Sequence, residues 1–293
     1  MKLTTFTHHG STRIGLVDLD QGEVVDLSSA APDLPREMVA LLETGADGLQ
    51  AAHAALGRGS RISLGEVRLE APIARPPKFL AVGLNYADHV AESGRDAPEF
   101  PTIFNKQSTC VVGPSAPVHV PRASHVLDYE GELGLVIGRR CRHVSRDDAA
   151  EVIAGYLVVN DVTVRDWQLR IPTWTMGKSF DTHGPIGPWI VTPDELPDPH
   201  QSRLRTWVNG ELRQDSNTKQ LIFDCFTLVE HLSTAFTLEP GDVIATGTPS
   251  GVGIAMKPPR LLQAGDVVRI EIEGIGELEN PIIDEPATTT TSL

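Results

Sequence analysis

Acidic residues alternate with apolar ones along one predicted strand, residues 127–137. Side chains alternate across a strand, so Asp128, Glu130 and Glu132 share one face, and carboxylates two residues apart lie about 7 Å from each other. Carboxylate oxygens in such an arrangement suit Mg²⁺, Mn²⁺ or Ca²⁺ better than zinc. The alternative is a solvated strand face, which explains most acidic alternation on exposed sheets.

A second apolar run, residues 156–160, ends in Asp161. An acid at the end of a strand is commonly placed at the mouth of a sheet, although a helix N-cap is the competing explanation. Asp161, Arg165 and Gln168 have the spacing of one helical stripe. Such a stripe could hold a carboxylate-bearing substrate beside a metal, or could contain only a local ion pair.

His89 and Glu92 are three residues apart in a short predicted helix and therefore share one of its faces. Asn85 with Asp88 has the pattern of an N-cap, and Gly94 that of a C-terminal stop. A glutamate beside a histidine raises its basicity and fixes its tautomer, which would make a general base for water. The alternative is an ordinary surface pair on an amphipathic turn.

The sequence pattern predicts strands separated by turns over most of the chain, and these strands must position the residues above. Its 26 glycines and 22 prolines favour a β-rich or mixed fold over a helix bundle. Helices are predicted over 35–56, 86–92, 145–154, 162–169 and 226–235, and hairpins over 13–27 and 265–279. The proline-rich stretch 71–77 marks the predicted boundary between a small N-terminal domain, 1–74, and a β-rich α+β domain, 75–293, with a disordered tail, 285–293.

Composition limits the classes of partner. The 293 residues include 39 acidic and 25 basic ones, for a net charge of −14, which disfavours nucleic acid and anionic membranes as partners. The three cysteines, Cys110, Cys141 and Cys225, have no CxxC spacing, which argues against a disulfide framework or a thiol zinc site. With no signal-like or membrane-spanning apolar run, the sequence predicts a cytoplasmic protein.

Five motifs in order, NYADHxxE, YEGEL, NDVTVRDWQ, GKSFD and ATGTPSGVG, closely resemble the fumarylacetoacetate hydrolase family from about Lys78 to Pro281. The resemblance implies a β-rich roll of mixed sheets with a small N-terminal α/β domain, and a homodimer. It also implies a divalent metal, Mg²⁺ or Mn²⁺ (Ca²⁺ in some crystals), held by Glu130, Glu132 and Asp161. An upstream aspartate ligand of the largest members has no counterpart here.

The resemblance further implies roles for individual residues. His89 and Glu92 look like a dyad on a lid, and Lys178 resembles the lysine that stabilises developing negative charge, although it could also be a surface lysine. His183 could line the pocket or serve only its loop. Four more residues resemble contacts to substrate oxygens or to the pocket: Arg165, Gln168, Thr248 and Lys106.

The implied activity is metal-dependent hydrolysis of a C–C bond in a 2,4-dioxo acid, of the acylpyruvate, fumarylpyruvate or diketo-deoxy sugar acid type. The presence of both His89 and Glu92 favours this water-using reaction. Oxaloacetate-type decarboxylation and 2-oxo acid tautomerisation or isomerisation on the same metal–enolate platform are the alternatives, and a non-catalytic ligand-binding protein is a third. The expected partner is a small anionic oxo acid.

Overall fold

The structure, a computed structural model, describes residues 1–94 and 96–287. Its strands are β1 (Lys2–His8), β2 (Ser11–Asp18), β3 (Glu23–Asp26), β4 (Arg61–Ser63), β5 (Arg68–Glu70), β6 (Phe79–Gly83), β7 (Thr102–Lys106), β8 (Val111–Val112), β9 (Val118–Val120), β10 (Leu127–Asp128), β11 (Gly131–Ile137), β12 (Ile153–Asn160), β13 (Thr163–Val164), β14 (Gly184–Val191), β15 (Arg203–Val208), β16 (Glu211–Asn217), β17 (Val243–Ala245), β18 (Val267–Ile272) and β19 (Gly276–Asp284). Its α-helices are α1 (Leu27–Ala30), α2 (Met38–Glu43), α3 (Gly45–Ala54), α4 (Ala87–Ser93), α5 (Arg165–Gln168), α6 (Thr175–Lys178) and α7 (Cys225–Ala235).

Two sheets carry most of these strands. One has the strand order β4-β3-β2-β1-β14-β12-β11-β17-β6-β7, and the other has the order β16-β15-β18-β19-β9. In the first sheet β11 lies between β12 and β17, and both β11 and β12 are buried along their whole length. Their residues alternate between two cores: Leu133 and Leu135 pack with one apolar cluster, and Val136 with the other. Burial on both faces explains why these strands are nearly continuous apolar runs.

Several predicted elements are confirmed. The hairpin over 13–27 forms from β2 and β3, the hairpin over 265–279 forms from β18 and β19, and α7 matches the predicted helix 226–235. The predicted helix 35–56 is present as α2 and α3, which meet at Gly45 (φ +66°). The β-rich α+β fold class is therefore correct.

Two predicted helices are wrong in extent or type. The segment 145–154 forms a 3₁₀ helix over Arg146–Val152 and then enters β12. Most of 162–169 is not helical, because Thr163–Val164 pairs as a strand with Leu127–Asp128 and leaves only the four residues of α5. Tertiary pairing overrides the local helical spacing at both places.

The strands of the N-terminal part continue the sheet of the larger part, because β1 pairs antiparallel with β14. The division into residues 1–74 and 75–293 stays a prediction. Of the predicted tail, residues 288–293 lie outside the described residues, while the backbone N–H of Glu285 donates to the Val120 carbonyl. In the described ranges, no helix has both the length and the apolar character needed to cross a membrane.

Candidate active site

Three buried carboxylates meet where β11 begins and β12 ends. These strands pair with Gly131 opposite Asn160, so Glu130 and Glu132 lie beside Asp161, the residue that follows β12. One oxygen of each carboxylate lies within 4.8 Å of the others, and all three side chains are buried. The alternative of a solvated strand face is therefore wrong, because the most exposed of the three residues, Glu130, is only 6% exposed.

The carboxylates differ in how well neighbouring charges compensate for their burial. Burial raises the pKa of Glu132 well above its ordinary value, and the charges of Asp161 and Glu130 raise it further. Burial acts on Glu130 as well, but Lys178 and Arg165 outweigh it and lower the pKa of Glu130 to about 2. An all-oxygen donor set that includes one poorly compensated carboxylate fits a hard divalent cation such as Mg²⁺ or Mn²⁺.

The Lys178 ammonium bridges two of these carboxylates. Its Nζ donates to Glu130 Oε2 and to Asp161 Oδ2, both at 2.7 Å, and its side chain is only 2% exposed. Burial lowers the pKa of Lys178, but the charges of Asp161 and Glu130 more than offset this and the pKa is raised. The alternative that Lys178 is a surface lysine is wrong, and the residue carries a buried positive charge.

Arg165 pairs with Asp128 and Glu130 and not with Asp161. Its Nε donates to Asp128 Oδ2 at 2.9 Å, and its Nη1 donates to Glu130 Oε1 at 2.5 Å. The predicted helical stripe that begins at Asp161 is wrong, because α5 starts at Arg165 and its N-cap is Val164. The side chain of Arg165 nevertheless reaches the carboxylate cluster from α5.

Close packing of α6 on α5 places Lys178 beside these groups. A Cβ on Gly177 would lie 2.3 Å from the backbone nitrogen of Gln168, so only glycine allows this approach. Gln168 in turn accepts a hydrogen bond from Arg165 Nη1 at 3.1 Å. The short helices thus bring two cations and one amide to the same side of the cluster.

Asp128 was not among the predicted site residues, although it lies in the acidic alternation. Its Oδ1 accepts the N–H of Gly253 at 2.8 Å and its Oδ2 accepts the N–H of Ile254 at 3.0 Å. Because Oδ2 also accepts from Arg165, Asp128 ties that guanidinium to the loop that follows the ATGTPSG motif. The alternation in the sequence includes this carboxylate, but it does not distinguish the role of Asp128 from those of Glu130 and Glu132.

Lys106 lies behind the cluster. Its Nζ donates to Asp161 Oδ1 at 2.7 Å and also to the Lys178 carbonyl oxygen, and its side chain is completely buried. The structure does not bring Lys106 to the cavity described below, contrary to the expectation that it reaches the pocket. In these contacts it positions Asp161 and the end of α6.

Thr248 and Gly247 close the other side of the cluster. The Thr248 hydroxyl donates to the Gly131 carbonyl at 3.0 Å and accepts from Gln214 at 2.8 Å. The N–H of Gly247 donates to Glu132 Oε2 at 2.8 Å, and its φ of +107° is one that side-chain-bearing residues rarely adopt. Gly247 is therefore both a turn glycine and a hydrogen-bond donor to the site.

The His89–Glu92 pair is formed on α4. His89 Nδ1 lies 3.1 Å from Glu92 Oε2, and Glu92 Oε1 accepts the N–H of Gly251 at 2.9 Å. Asp88 also holds α4 in place by accepting from the Ser216 hydroxyl at 2.5 Å. Because both Glu92 and Asp88 bind other parts of the chain, the pair is more than an isolated surface contact.

The N-terminal end of α4 differs from the prediction, while its C-terminal end agrees with it. The N-cap is Tyr86, and the side chain of Asn85 binds backbone groups of Phe223 and Thr246. Asn85 is fully buried, so it anchors the start of the helix to the body of the protein. Gly94 ends the helix in the left-handed conformation (φ +66°) as predicted.

A cavity of about 330 Å³ opens over this cluster. The predicted site residues that line it are His89, Glu92, Glu130, Arg165, Gln168, Lys178 and Thr248. Glu132 and Asp161 do not line it and belong to the buried cluster around Glu130. The structure thus joins a histidine–carboxylate pair, two cations and one carboxylate of the candidate metal centre in one space.

His183 is fully buried and has a loop role. Its Nε2 lies 2.8 Å from the His119 carbonyl oxygen, and burial lowers the pKa of His183 to about 3 from its ordinary value of 6.5. The unfolded chain therefore takes up this proton below pH 6.5, whereas the folded chain takes it up only near pH 3. Between these values we expect His183 to make the free energy of unfolding fall by about 1.4 kcal/mol per pH unit as the pH decreases.

Urea unfolding of the wild type and of His183→Gln between pH 7 and pH 4.5 measures this slope. The wild-type slope is expected to be the steeper one. His53→Gln, at an exposed position on α3, controls for the removal of an imidazole. Equal slopes in the wild type and His183→Gln would contradict the prediction.

The motifs and the geometry agree with a known family. Residues 78–283 match the sequence model described as fumarylacetoacetate (FAA) hydrolase C-terminal. The chain belongs to the fumarylacetoacetate hydrolase family. Solved members share its fold over nearly the whole chain, so the resemblance predicted from the five motifs is confirmed.

Relatives in this family carry different activities in their names. Oxaloacetate tautomerase fahd2, mitochondrial, of Xenopus laevis is 44% identical over 276 residues, 93% of this chain and 86% of that protein. The fumarylacetoacetate hydrolase of the psychrophilic Exiguobacterium antarcticum is 39% identical with a TM-score of 0.87, covering 97% of this chain and 100% of that chain. The maleylpyruvate hydrolase of Sphingobium sp. SYK-6, in complex with manganese(II) ion and pyruvate, is 33% identical with a TM-score of 0.81. The match covers 98% of this chain and 100% of that chain. The manganese-bound relative and the buried acidic cluster together indicate that this chain binds a divalent metal.

Proposed function

We propose that this protein is a divalent-metal-dependent hydrolase that cleaves a C–C bond in a small 2,4-dioxo acid. The observation that supports this most is the position of the hydrogen-bonded His89–Glu92 pair, which lines the same cavity as Arg165 and Lys178. A base for water and cations for an oxyanion therefore face one space.

The residues of the chain divide the chemistry between them. Because a carboxylate only accepts hydrogen bonds, Glu92 fixes the hydrogen of neutral His89 on Nδ1 and leaves Nε2 to take a proton from water. The water oxygen bonds to C4, the C3–C4 bond breaks, and C3 receives the proton that His89 took from water, which gives pyruvate or its analogue and a second carboxylic acid. Lys178 and Arg165 stabilise the negative charge that develops during these steps.

We assign the cluster of Glu130, Glu132 and Asp161 to Mg²⁺ or Mn²⁺, which when bound supplies a Lewis acid for the 2-oxo and carboxylate oxygens of the substrate. Gln168 and Thr248 are the proposed polar contacts to substrate oxygens, since both line the cavity. We further propose a cytoplasmic homodimer whose partner is a small anionic oxo acid and neither nucleic acid nor a membrane, in keeping with the net charge of −14.

Oxaloacetate tautomerisation is the second candidate, favoured by the 44% identity to the Xenopus laevis tautomerase over 93% of the chain. It would use the same polar groups without water, with His89 moving a proton between C3 and the 2-oxygen of the substrate. Decarboxylation of an oxaloacetate-type acid would use them with CO₂ as the leaving group. The three reactions differ in the group that leaves C3, which is an acyl group in hydrolysis, a proton in tautomerisation and CO₂ in decarboxylation.

A substrate panel tests the proposal. The protein loaded with Mg²⁺ or Mn²⁺ is offered acetylpyruvate, fumarylpyruvate and oxaloacetate, and EDTA treatment is the control. We expect pyruvate to be released from a dioxo acid and this release to be lost with EDTA. Keto–enol exchange of oxaloacetate without pyruvate release would support the tautomerase, and turnover that survives EDTA would contradict the role of the metal.

His89→Ala is expected to lower kcat for dioxo acid hydrolysis about a hundredfold, at the lower end of general-base effects because the Glu92 carboxylate still faces the cavity. Decarboxylation of oxaloacetate, which needs no activated water, is expected to persist in the variant. The two rates are compared in one preparation by following pyruvate and CO₂. An equal loss of both reactions would argue against a role of His89 specific to water.

A further inference from the structure

The lining of the cavity divides into two chemical classes of side chain. Its polar side chains are those of His89, Glu92, Glu130, Arg165, Gln168, Lys178 and Thr248, and most of the remaining lining is apolar. Six of the apolar side chains, here called the apolar wall, are Val82, Leu84, Phe104, Leu169, Trp174 and Ile254. Leu169 and Ile254 are also 67% and 37% exposed, so the wall extends to the mouth of the cavity and leaves apolar surface there that a ligand could cover.

The permanent cations that line the cavity, among the described residues, are each already paired with carboxylates. Arg165 is paired with Asp128 and Glu130, and Lys178 is paired with Glu130 and Asp161. Lys178 Nζ lies 5.1 Å from the ring centroid of Phe104, but it is already paired with two carboxylates. A second carboxylate of a substrate placed against the apolar wall would therefore lose its water without gaining an unpaired cation as a partner. Burial of an unpaired carboxylate is strongly unfavourable.

Two residues of the wall are held in an unusual backbone conformation. Leu84 has a φ of +56° and Trp174 a φ of +58°, and bulky side chains rarely adopt the left-handed region. The neighbouring chain accommodates Trp174, because a Cβ on Gly83 would lie 2.2 Å from its ring. Its ring also packs edge-on against Phe104, with ring centroids 5.6 Å apart. Such conformations persist where packing enforces them and are concentrated at functional sites.

We propose that the acyl arm of the substrate, the group attached to C4, is uncharged and apolar, and that Trp174 is the residue that determines this preference. The assignment rests on the proposed function, because it places the 2-oxo acid end of the substrate at the cluster of Glu130, Glu132 and Asp161. The cavity volume of about 330 Å³ is near the lower limit of ligand pockets, which selects a short arm.

Binding of two matched 2-oxo acids tests the arm without requiring turnover. 2-Oxohexanoate and 2-oxoadipate have the same chain length and differ in a terminal methyl or carboxylate group. Calorimetry on the Mn²⁺-loaded protein is expected to give 2-oxohexanoate at least about tenfold tighter binding. Equal affinities, or tighter binding of 2-oxoadipate, would overturn the arm assignment alone. Binding of neither acid would overturn the proposed function together with it.

Variants of the apolar wall test whether its residues cause the preference for an uncharged arm. Trp174→Ala is expected to weaken the binding of 2-oxohexanoate about tenfold or more. The affinity for pyruvate, which has no arm, is expected to stay within about threefold, and Trp174→Phe is expected to recover most of the lost affinity for 2-oxohexanoate. Leu169→Lys, at an exposed position that tolerates substitution, is expected to improve 2-oxoadipate binding about tenfold. Equal losses for pyruvate and 2-oxohexanoate in Trp174→Ala, or no gain of 2-oxoadipate binding in Leu169→Lys, would contradict the role of the wall.

Discussion

Replacing Lys178 by methionine is expected to lower kcat about a thousandfold without weakening Mn²⁺ binding, since a preorganised donor to developing negative charge contributes about 10²–10³ in rate. Methionine has a similar length and fills the buried space, but it removes the ammonium that bridges Glu130 and Asp161. Those carboxylates then have one cation fewer, so a dication beside them meets less repulsion. The rate at saturating Mn²⁺ and the Mn²⁺ affinity by calorimetry are the two measurements.

Lys78→Met is the matched control. Lys78 also bridges two carboxylates, with Nζ at 2.7 Å from Glu239 Oε2 and 3.0 Å from Asp242 Oδ2, but it does not line the cavity. Both variants lose a bridged ion pair, and only Lys178→Met is expected to lose turnover. A parallel fall in kcat for both, or a loss of Mn²⁺ affinity in Lys178→Met, would show that the lysine acts only through structure.

The carboxylate cluster could be predicted because the sequence signals for it lie within single strands. Alternation placed Glu130 and Glu132 two residues apart on one strand, and the end of an apolar run placed Asp161 at the edge of the next. Antiparallel pairing of neighbouring strands then brings the three together. The His89–Glu92 contact was equally local, since residues three apart on a helix share a face.

Other features depend on contacts between distant segments, and a single sequence gives no measure of those. Asn85 lies at a position typical of an N-cap, yet its side chain binds Phe223, 138 residues away. Lys106 lies outside the five motifs, and only the tertiary structure shows that it faces Asp161 from behind. Trp174 gave no signal at all, because its role depends on the space that Gly83 leaves for its ring.

The buried charges explain how so acidic a protein could bind an acid. Asp128, Glu130 and Asp161 form ion pairs with Lys106, Arg165 and Lys178 in one connected network. Glu132 has a carboxylate oxygen within 4.8 Å of those of Glu130 and Asp161. Four carboxylates against three cations leave a formal excess of one negative charge. A dication would turn this into an excess of one positive charge, in surroundings where charges interact more strongly than in water. The proposed site therefore becomes attractive to an anion when the metal is bound.

Glu132→Gln is expected to weaken Mn²⁺ binding at least about a hundredfold, because it replaces a charged ligand by a neutral amide, a larger change than loss of a residue that only orients a ligand. The amide keeps the size of the side chain and an oxygen for the N–H of Gly247, 2.8 Å away. It also removes the repulsion from Asp161 and Glu130 that, with burial, holds the pKa of Glu132 well above its ordinary value. Without metal, the variant is therefore expected to be at least as stable as the wild type.

These opposite effects make thermal unfolding a sensitive test. At about 100 times its Kd, Mn²⁺ is expected to raise the free energy of unfolding of the wild type by about 2.7 kcal/mol, and this gain should fall to about 0.4 kcal/mol or less in Glu132→Gln. Glu92→Gln, the matched control in the same cavity but outside the cluster, should keep the full gain. If Glu132→Gln lowers Tm in EDTA yet retains the Mn²⁺ response, the carboxylate has a structural role and the metal binds elsewhere. A variant that is at least as stable as the wild type without metal, but is stabilised much less by Mn²⁺, is expected only where the replaced residue is a ligand of the metal.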